Sequence, residues 1–208
     1  VVRAFHFIHN THPFWWAEVT PPGVFLTVAP ITGKTITIAT AGEGATGTLS
    51  SSHATSLTGY KIIFAGEDYS IRITAHTAAS VTVTLDAAPE VKAAGTACTI
   101  IKDEYDLVAT AGMLVDGLWT GDGDFIASKS EDYIRSTFKD PPDSGWPPEC
   151  FTRITKRRIR LSQYPDAVHR IEYPYTQIQA DPSGSGALVI DQNFRWVLSD
   201  GGLYFLHL

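Results

Sequence analysis

Three groups of residues in this 208-residue chain have types and spacings that could carry chemistry. His6, His9 and His12 recur every third position, and on one helix face three imidazole nitrogens could hold zinc or nickel. Pro13 and the neighbouring aromatics interrupt such a face, which favours an incidental cluster. Asp122-Gly123-Asp124 has the form of the start of a calcium loop, but the later ligands and the closing Glu are absent. A solvated turn is expected there. Asp103 and Glu104 are adjacent carboxylates, yet a glycosidase pair is defined by separation in space, which adjacency does not supply. The chain has no nucleophile-elbow serine, no phosphate-cradling glycine loop ending in Lys-Ser/Thr, and no His-Glu-x-x-His. The expectation is a protein that is not an enzyme, with no catalytic residues, metal or cofactor.

Two further sets suit contacts rather than reactions. In Lys156-Arg157-Arg158-Ile159-Arg160, a strand would point Lys156, Arg158 and Arg160 one way and Arg157, Ile159 and Leu161 the other. That charged face suits an acidic partner or a phosphate backbone. The acidic balance of the chain favours a solvated face beside buried Ile159 and Leu161, and a salt-bridge ladder between subunits is compatible with both. The second set is Trp15, Trp16, Trp119, Trp146 and Trp196. Tryptophans can stack on sugar rings, but packing in a core or interface is their commoner use. Trp15, Trp16 and Trp196 are the apolar anchors expected at an interface.

Composition bounds what these residues can serve. At 44% hydrophobic and 18% charged, the chain has enough apolar surface to fold, which excludes a disordered, charge-rich class. A net charge of -6 argues against general nucleic-acid binding, which needs an excess of Lys and Arg. No apolar run approaches the ~18 residues of a membrane-crossing helix, and no membrane partner is expected. Cys98 and Cys150 are too few for a disulfide scaffold or a cysteine-built zinc site; buried free thiols are favoured, with one pairing left open. The opening Val1-Val2-Arg3 has no signal-peptide pattern, and together with the stop at Leu208 it suggests processing or a part of a longer chain.

The elements that would position these residues follow from periodicity. Residues 1–20 form an apolar segment compatible with a helical stripe and cut by Pro13. Residues 21–102 form a Thr-rich β module. Its strands are expected over Val24–Ala29, Lys34–Thr40, Tyr60–Phe64, Tyr69–Thr74, Ser80–Asp86 and Thr96–Lys102, with Ala65-Gly66-Glu67-Asp68 as a hairpin turn. Within them Val81, Val83 and Leu85 share a face, as do Ile36 and Ile38. Residues 103–208 are an α/β segment. It is loose to Asp124, where four glycines break regular structure, and then has a helix capped by Ser128 or Ser130 and stopped by Pro141-Pro142. Strands over Ile154–Leu161 and Val168–Tyr173 flank a turn at Gln163–Asp166, and Phe194–Leu208 carries a helix face despite Gly201-Gly202. The expected class is α+β, mainly β: a small antiparallel β-barrel or sandwich, a few short helices and a C-terminal helix.

The second half carries an ordered set of segments. They are Lys102-Asp103-Glu104-Tyr105-Asp106-Leu107, Glu131-Asp132-Tyr133-Ile134-Arg135, Pro147-Pro148-Glu149-Cys150-Phe151, Ile159-Arg160-Leu161-Ser162-Gln163-Tyr164-Pro165-Asp166, Arg170-Ile171-Glu172-Tyr173-Pro174-Tyr175 and Arg195-Trp196-Val197-Leu198. This set resembles the head-to-tail adaptor proteins of tailed bacteriophages, in which such strands follow a variable β insertion and lead into a C-terminal helix. The long N-terminal helices of that family are not evident here. The resemblance implies a structural virion protein at the head–tail junction, a closed homo-oligomeric ring such as a dodecamer. Its implied partners are the portal protein and tail or nozzle proteins, with DNA passing non-specifically through the lumen. A tail or baseplate component, or a carbohydrate-binding β module, is the alternative.

Overall fold

Threonine alternating with isoleucine or valine puts one apolar and one polar face on each segment, and such segments bury the apolar face by pairing. The computed structural model describes residues 22–177 apart from 110, 115, 116 and 141. The expected N-terminal segment with its three histidines, the C-terminal helix, and Trp15, Trp16 and Trp196 lie outside the described residues. The described chain is mainly β with one short helix.

The first strand is β1 (Gly23–Leu26). It is followed by β2 (Ile31–Ile38), the short β3 (Gly42–Glu43), β4 (Thr46–Leu49), β5 (Lys61–Phe64), β6 (Ser70–His76), β7 (Thr82–Leu85), the short β8 (Ala87–Ala88) and β9 (Lys92–Ile101). Six of them close into an antiparallel barrel in the order β2-β4-β7-β6-β5-β9. The alternation holds in detail: Ile36, Ile38, Ile62, Ile73, Val83, Leu85 and Ile100 fill the interior, while Thr35 and Thr37 face outward. The expected hairpin at 65–68 joins β5 to β6. Val81 lies just before β7 and stays exposed. Cys98 and Cys150 are both buried and free.

After the barrel come β10 (Glu104–Asp106), β11 (Ala111–Leu114), β12 (Leu118–Thr120), β13 (Phe125–Ser128), helix α1 (Glu131–Thr137), β14 (Cys150–Thr155), β15 (Arg158–Leu161), β16 (Arg170–Tyr173) and β17 (Tyr175–Gln177). A seven-stranded sheet runs β1-β16-β12-β13-β14-β15-β10, and β11 pairs with β17. The β13–β14 pair is parallel, and α1 makes the connection between these two strands. Ser130 caps that helix by accepting the Tyr133 N–H, with Glu131 and Asp132 in its first turn. Ile134 is buried, and the helix packs on β14.

Three expectations are corrected. The strand beginning near Val24 is not part of the barrel; β1 pairs with β16, so the barrel is an insertion between two strands of the sheet. The stretch 103–124 is not loose, since β10, β11 and β12 lie in it. Two of its glycines serve close approach: a Cβ on Gly117 would sit 2.5 Å from the Ile126 carbonyl oxygen and from the Phe125 ring, and one on Gly121 3.3 Å from Arg170 Cβ. Finally, Ile154–Leu161 is not one strand. Lys156-Arg157 is the turn of a hairpin, with Thr155 Oγ1 accepting the Arg157 N–H and Arg153 donating to the Lys156 carbonyl.

The sheet rolls up. Although β1 and β10 are its opposite edges, Phe25 stacks on Tyr105 with ring centroids 5.0 Å apart. Inside the roll sit Leu118, Ile126, Phe151, Ile159, Leu161, Ile171 and Tyr173, all buried. The two passages between sheet and barrel meet at one hydroxyl: Tyr105 accepts the Val28 N–H at 3.2 Å and donates to the Lys102 carbonyl at 2.9 Å.

Two outcomes are expected. At Gly23 an added Cβ would fall 2.3 Å from Tyr173 Cζ, and the Tyr173 hydroxyl is held by the Val108 N–H at 2.9 Å. Gly23→Ala should therefore cost about 1–3 kcal/mol in urea unfolding, the usual range for overpacking; an unchanged midpoint would show that the ring has room. Burial pushes the Cys98 thiol up to about 11, so at pH 8 only about one thiol in a thousand is thiolate. Neither Cys98 nor Cys150 should be alkylated by iodoacetamide at that pH until the protein is unfolded in urea, as read by mass spectrometry.

Candidate functional site

The charges expected to face a partner lie instead along the seam between barrel and sheet. In the antiparallel β10–β15 pair, Glu104 stands opposite Arg160 and Asp106 opposite Arg158. These four share the outer face of the roll, since Tyr105 and Ile159 point inward. Arg158 Nε meets Asp106 Oδ1 at 2.8 Å, and this bond raises the guanidinium pKa further. Arg160 turns toward Asp103 instead, its Nε 3.2 Å from Oδ2.

Asp103 is the centre of the seam. It is fully buried, and its Oδ2 also accepts from Lys61 Nζ at 2.6 Å. Lys61 sits on β5 directly opposite Arg72 on β6. Like charges directly opposed across strands repel. Here each cation has its own carboxylate from the sheet: Asp103 for Lys61, and Glu104 for Arg72, whose Nη2 lies 2.9 Å from Glu104 Oε2. The network therefore spans β5, β6, β10 and β15 and ties the two units together. Asp103 Oδ1 has no hydrogen-bond partner among the described residues.

Beside the seam lies a cleft of about 370 Å³ lined by Thr58, Arg72, Lys102, Glu104, Asp106 and Arg158. The Lys102 ammonium rests over two rings, 5.1 Å from the Tyr60 centroid and 5.3 Å from that of Tyr105. Burial lowers its pKa, with nearby Arg158 acting in the same sense and Asp106 opposing. Burial also holds the Tyr105 phenol well above its ordinary range. The chemistry of this arrangement is ion pairing and cation–ring contact.

The other expected residues are dispersed. Lys156 stands in the hairpin turn, so Lys156, Arg158 and Arg160 do not share one strand face. Trp119 is on the outer face of β12, and Trp146 stacks on His169 at 3.8 Å, with His169 Nε2 also 2.8 Å from Asp166. Asp122-Gly123-Asp124 is an exposed turn closed by Thr120, as expected. Among the described residues no group of three or more His, Cys, Asp or Glu is arranged to hold a metal. Asp103 and Glu104 are each engaged by a separate cation rather than facing one another across a substrate gap. Sequence reasoning missed Lys61, Arg72 and the keystone role of Asp103. A usable signal was present: Glu104-x-Asp106 and Arg158-x-Arg160 are complementary when paired antiparallel.

No family model, curated protein or solved structure matches this chain.

Burial separates the two kinds of ion pair several-fold in energy. Asp103→Ala leaves Lys61 and Arg160 uncompensated in the seam and should cost about 3–5 kcal/mol. Asp106→Ala removes an exposed pair and should cost less than about 1 kcal/mol. Urea unfolding of both variants checks this, and equal losses would contradict the assigned hierarchy.

Proposed function

We propose that this chain is a structural protein of a tailed-bacteriophage virion, a ring-forming adaptor that joins the portal to the tail. One observation carries the reading. The adaptor-like segment 103–107 is more than fifty residues from the neighbouring segments 159–166 and 170–175, yet β10, β15 and β16 belong to one rolled sheet. Their Tyr105, Leu107, Ile159, Leu161, Ile171 and Tyr173 share a single core. The barrel enters as an insertion immediately before the first of these segments, where the resemblance calls for a variable β module.

Physical chemistry is compatible with that role. DNA must slide through a head–tail junction, so a lumen with little excess of cations serves better than a basic clamp. The net charge of -6 has the suitable sign. Copies would close into a cyclic ring. The partners would be the portal and the next tail or nozzle protein, at the head–tail junction of the virion. Lys156, in the turn, and Arg158, held only by the exposed Asp106, are the charged residues that would take part, because Arg160 is committed to the buried Asp103.

The test is native mass and negative-stain imaging of the purified protein, alone and with isolated portal. Closed rings, or 22.6 kDa monomers that assemble on the portal, are expected. Lys156→Glu combined with Arg158→Glu should lower ring yield while leaving circular dichroism unchanged. A monodisperse monomer indifferent to portal would overturn the proposal.

A further inference from the structure

Two hollows meet at Lys102. One is the charged cleft beside the seam. The other is a groove of about 750 Å³ where the barrel joins the sheet, and Thr58 and Lys102 line both. The groove takes its apolar surface from Val28, Ala29, Pro30 and Ile31, where the chain passes from β1 into β2, and from Val168 and the Tyr60 ring. Polar residues between 53 and 58 complete the lining. A groove of this volume has the size of a small-molecule site.

Lys102 states the charge of the occupant. It is half-buried, and its ammonium makes no hydrogen bond or ion pair with any described residue, whereas Arg72 and Arg158 each hold a carboxylate. The Tyr60 and Tyr105 rings fix the ammonium in place by their faces and leave its N–H groups for an acceptor. A cation partly withdrawn from water gains from an anion that supplies both charge and a hydrogen bond. The cleft sets the number of charges: Arg72, Lys102 and Arg158 face Glu104 and Asp106, which leaves one positive charge over. A single negative charge balances it. A second would meet the two carboxylates, which favours a carboxylate over a doubly charged phosphate.

We infer that Lys102 binds the carboxylate of a small amphipathic acid whose apolar chain lies in the groove along Val28–Ile31 and Val168. The ligand class is a free monocarboxylate of the fatty-acid type. This goes beyond the adaptor reading and does not rest on it. The charged cleft supplies recognition of the head, and the groove supplies burial of the body, so neither half of the ligand suffices alone.

The experiment titrates octanoate, kept below its micelle concentration, into the full chain carrying 13C-labelled lysine, with the Lys102 Cε line assigned by Lys102→Met. That line should shift saturably. Its pH midpoint should rise when octanoate is bound, because an anion favours the charged ammonium. Octanol and acetate, each supplying one half of the ligand, should do neither at the same concentration. In calorimetry Lys102→Met should weaken octanoate binding by about tenfold or more, the loss of one charge-assisted hydrogen bond. Val168→Glu, at a position 61% exposed, should weaken it several-fold and leave circular dichroism unchanged. Octanoate binding that survives Lys102→Met, or that leaves the Lys102 line in place, would overturn the inference. An equal response to acetate would overturn it in favour of a plain anion site. A response to an acetylated peptide ending in leucine, with none to octanoate, would overturn it in favour of a protein C-terminus.

Discussion

A wholly buried carboxylate governs how the two parts of this protein meet. Asp103 draws Lys61 from the barrel and Arg160 from the sheet to one oxygen, at 2.6 and 3.2 Å. Removing charges from water is expensive, and their mutual attraction offsets that cost only when geometry is good. The seam is therefore a poor place for approximate fits. Lys61 and Arg72, opposed on neighbouring strands, need Asp103 and Glu104 opposite them, and this fixes which side of the barrel faces the sheet. The aromatic contacts then follow. Tyr105, next but one to Asp103, fills the roll against Phe25 and bridges both connecting segments with its hydroxyl.

The rest of the architecture depends on close approaches that only small residues permit. β1 joins the sheet at Gly23 because the Tyr173 ring occupies the space a side chain would need. Gly117 allows β12 to approach the Phe125 ring in the same way. In the barrel His76 works by hydrogen bonding rather than by size. Its Nδ1 accepts the Leu57 N–H and its Nε2 donates to the Ser80 carbonyl, which anchors the loop that brings Leu57 into the core.

Much of the barrel was legible because its signal is local. Alternation of Ile or Val with Thr marks β2, β6 and β7 without knowledge of their partners, and Ser130 followed by Glu131-Asp132 marks the helix start. The sheet was harder to read because all its strands but β14 are three or four residues long and several of their partners are distant in sequence. Val24 reads as a strand from its neighbours, but only pairing with Ile171 and its flanking residues takes β1 out of the barrel. Glycines that look like breakers at 117 and 121 permit contacts whose other half is remote. The seam was hidden for the same reason. Lys61 and Arg72 are unremarkable until β5 and β6 set them side by side, and the basic run at 156–160 looks free until β10 supplies its counter-charges.

The clasp between β1 and β16 has a mechanical consequence. Gly23 stands directly opposite Tyr173, so the strand by which the chain enters the sheet and the strand that precedes its exit meet about one strand spacing apart. The other ends of this pair, at Leu26 and Arg170, lie toward the barrel. Tension applied between Gly23 and Tyr173 would load their shared hydrogen bonds first and unzip them one register pair at a time. Until that clasp opens, the barrel, inserted between β1 and β10, carries no load.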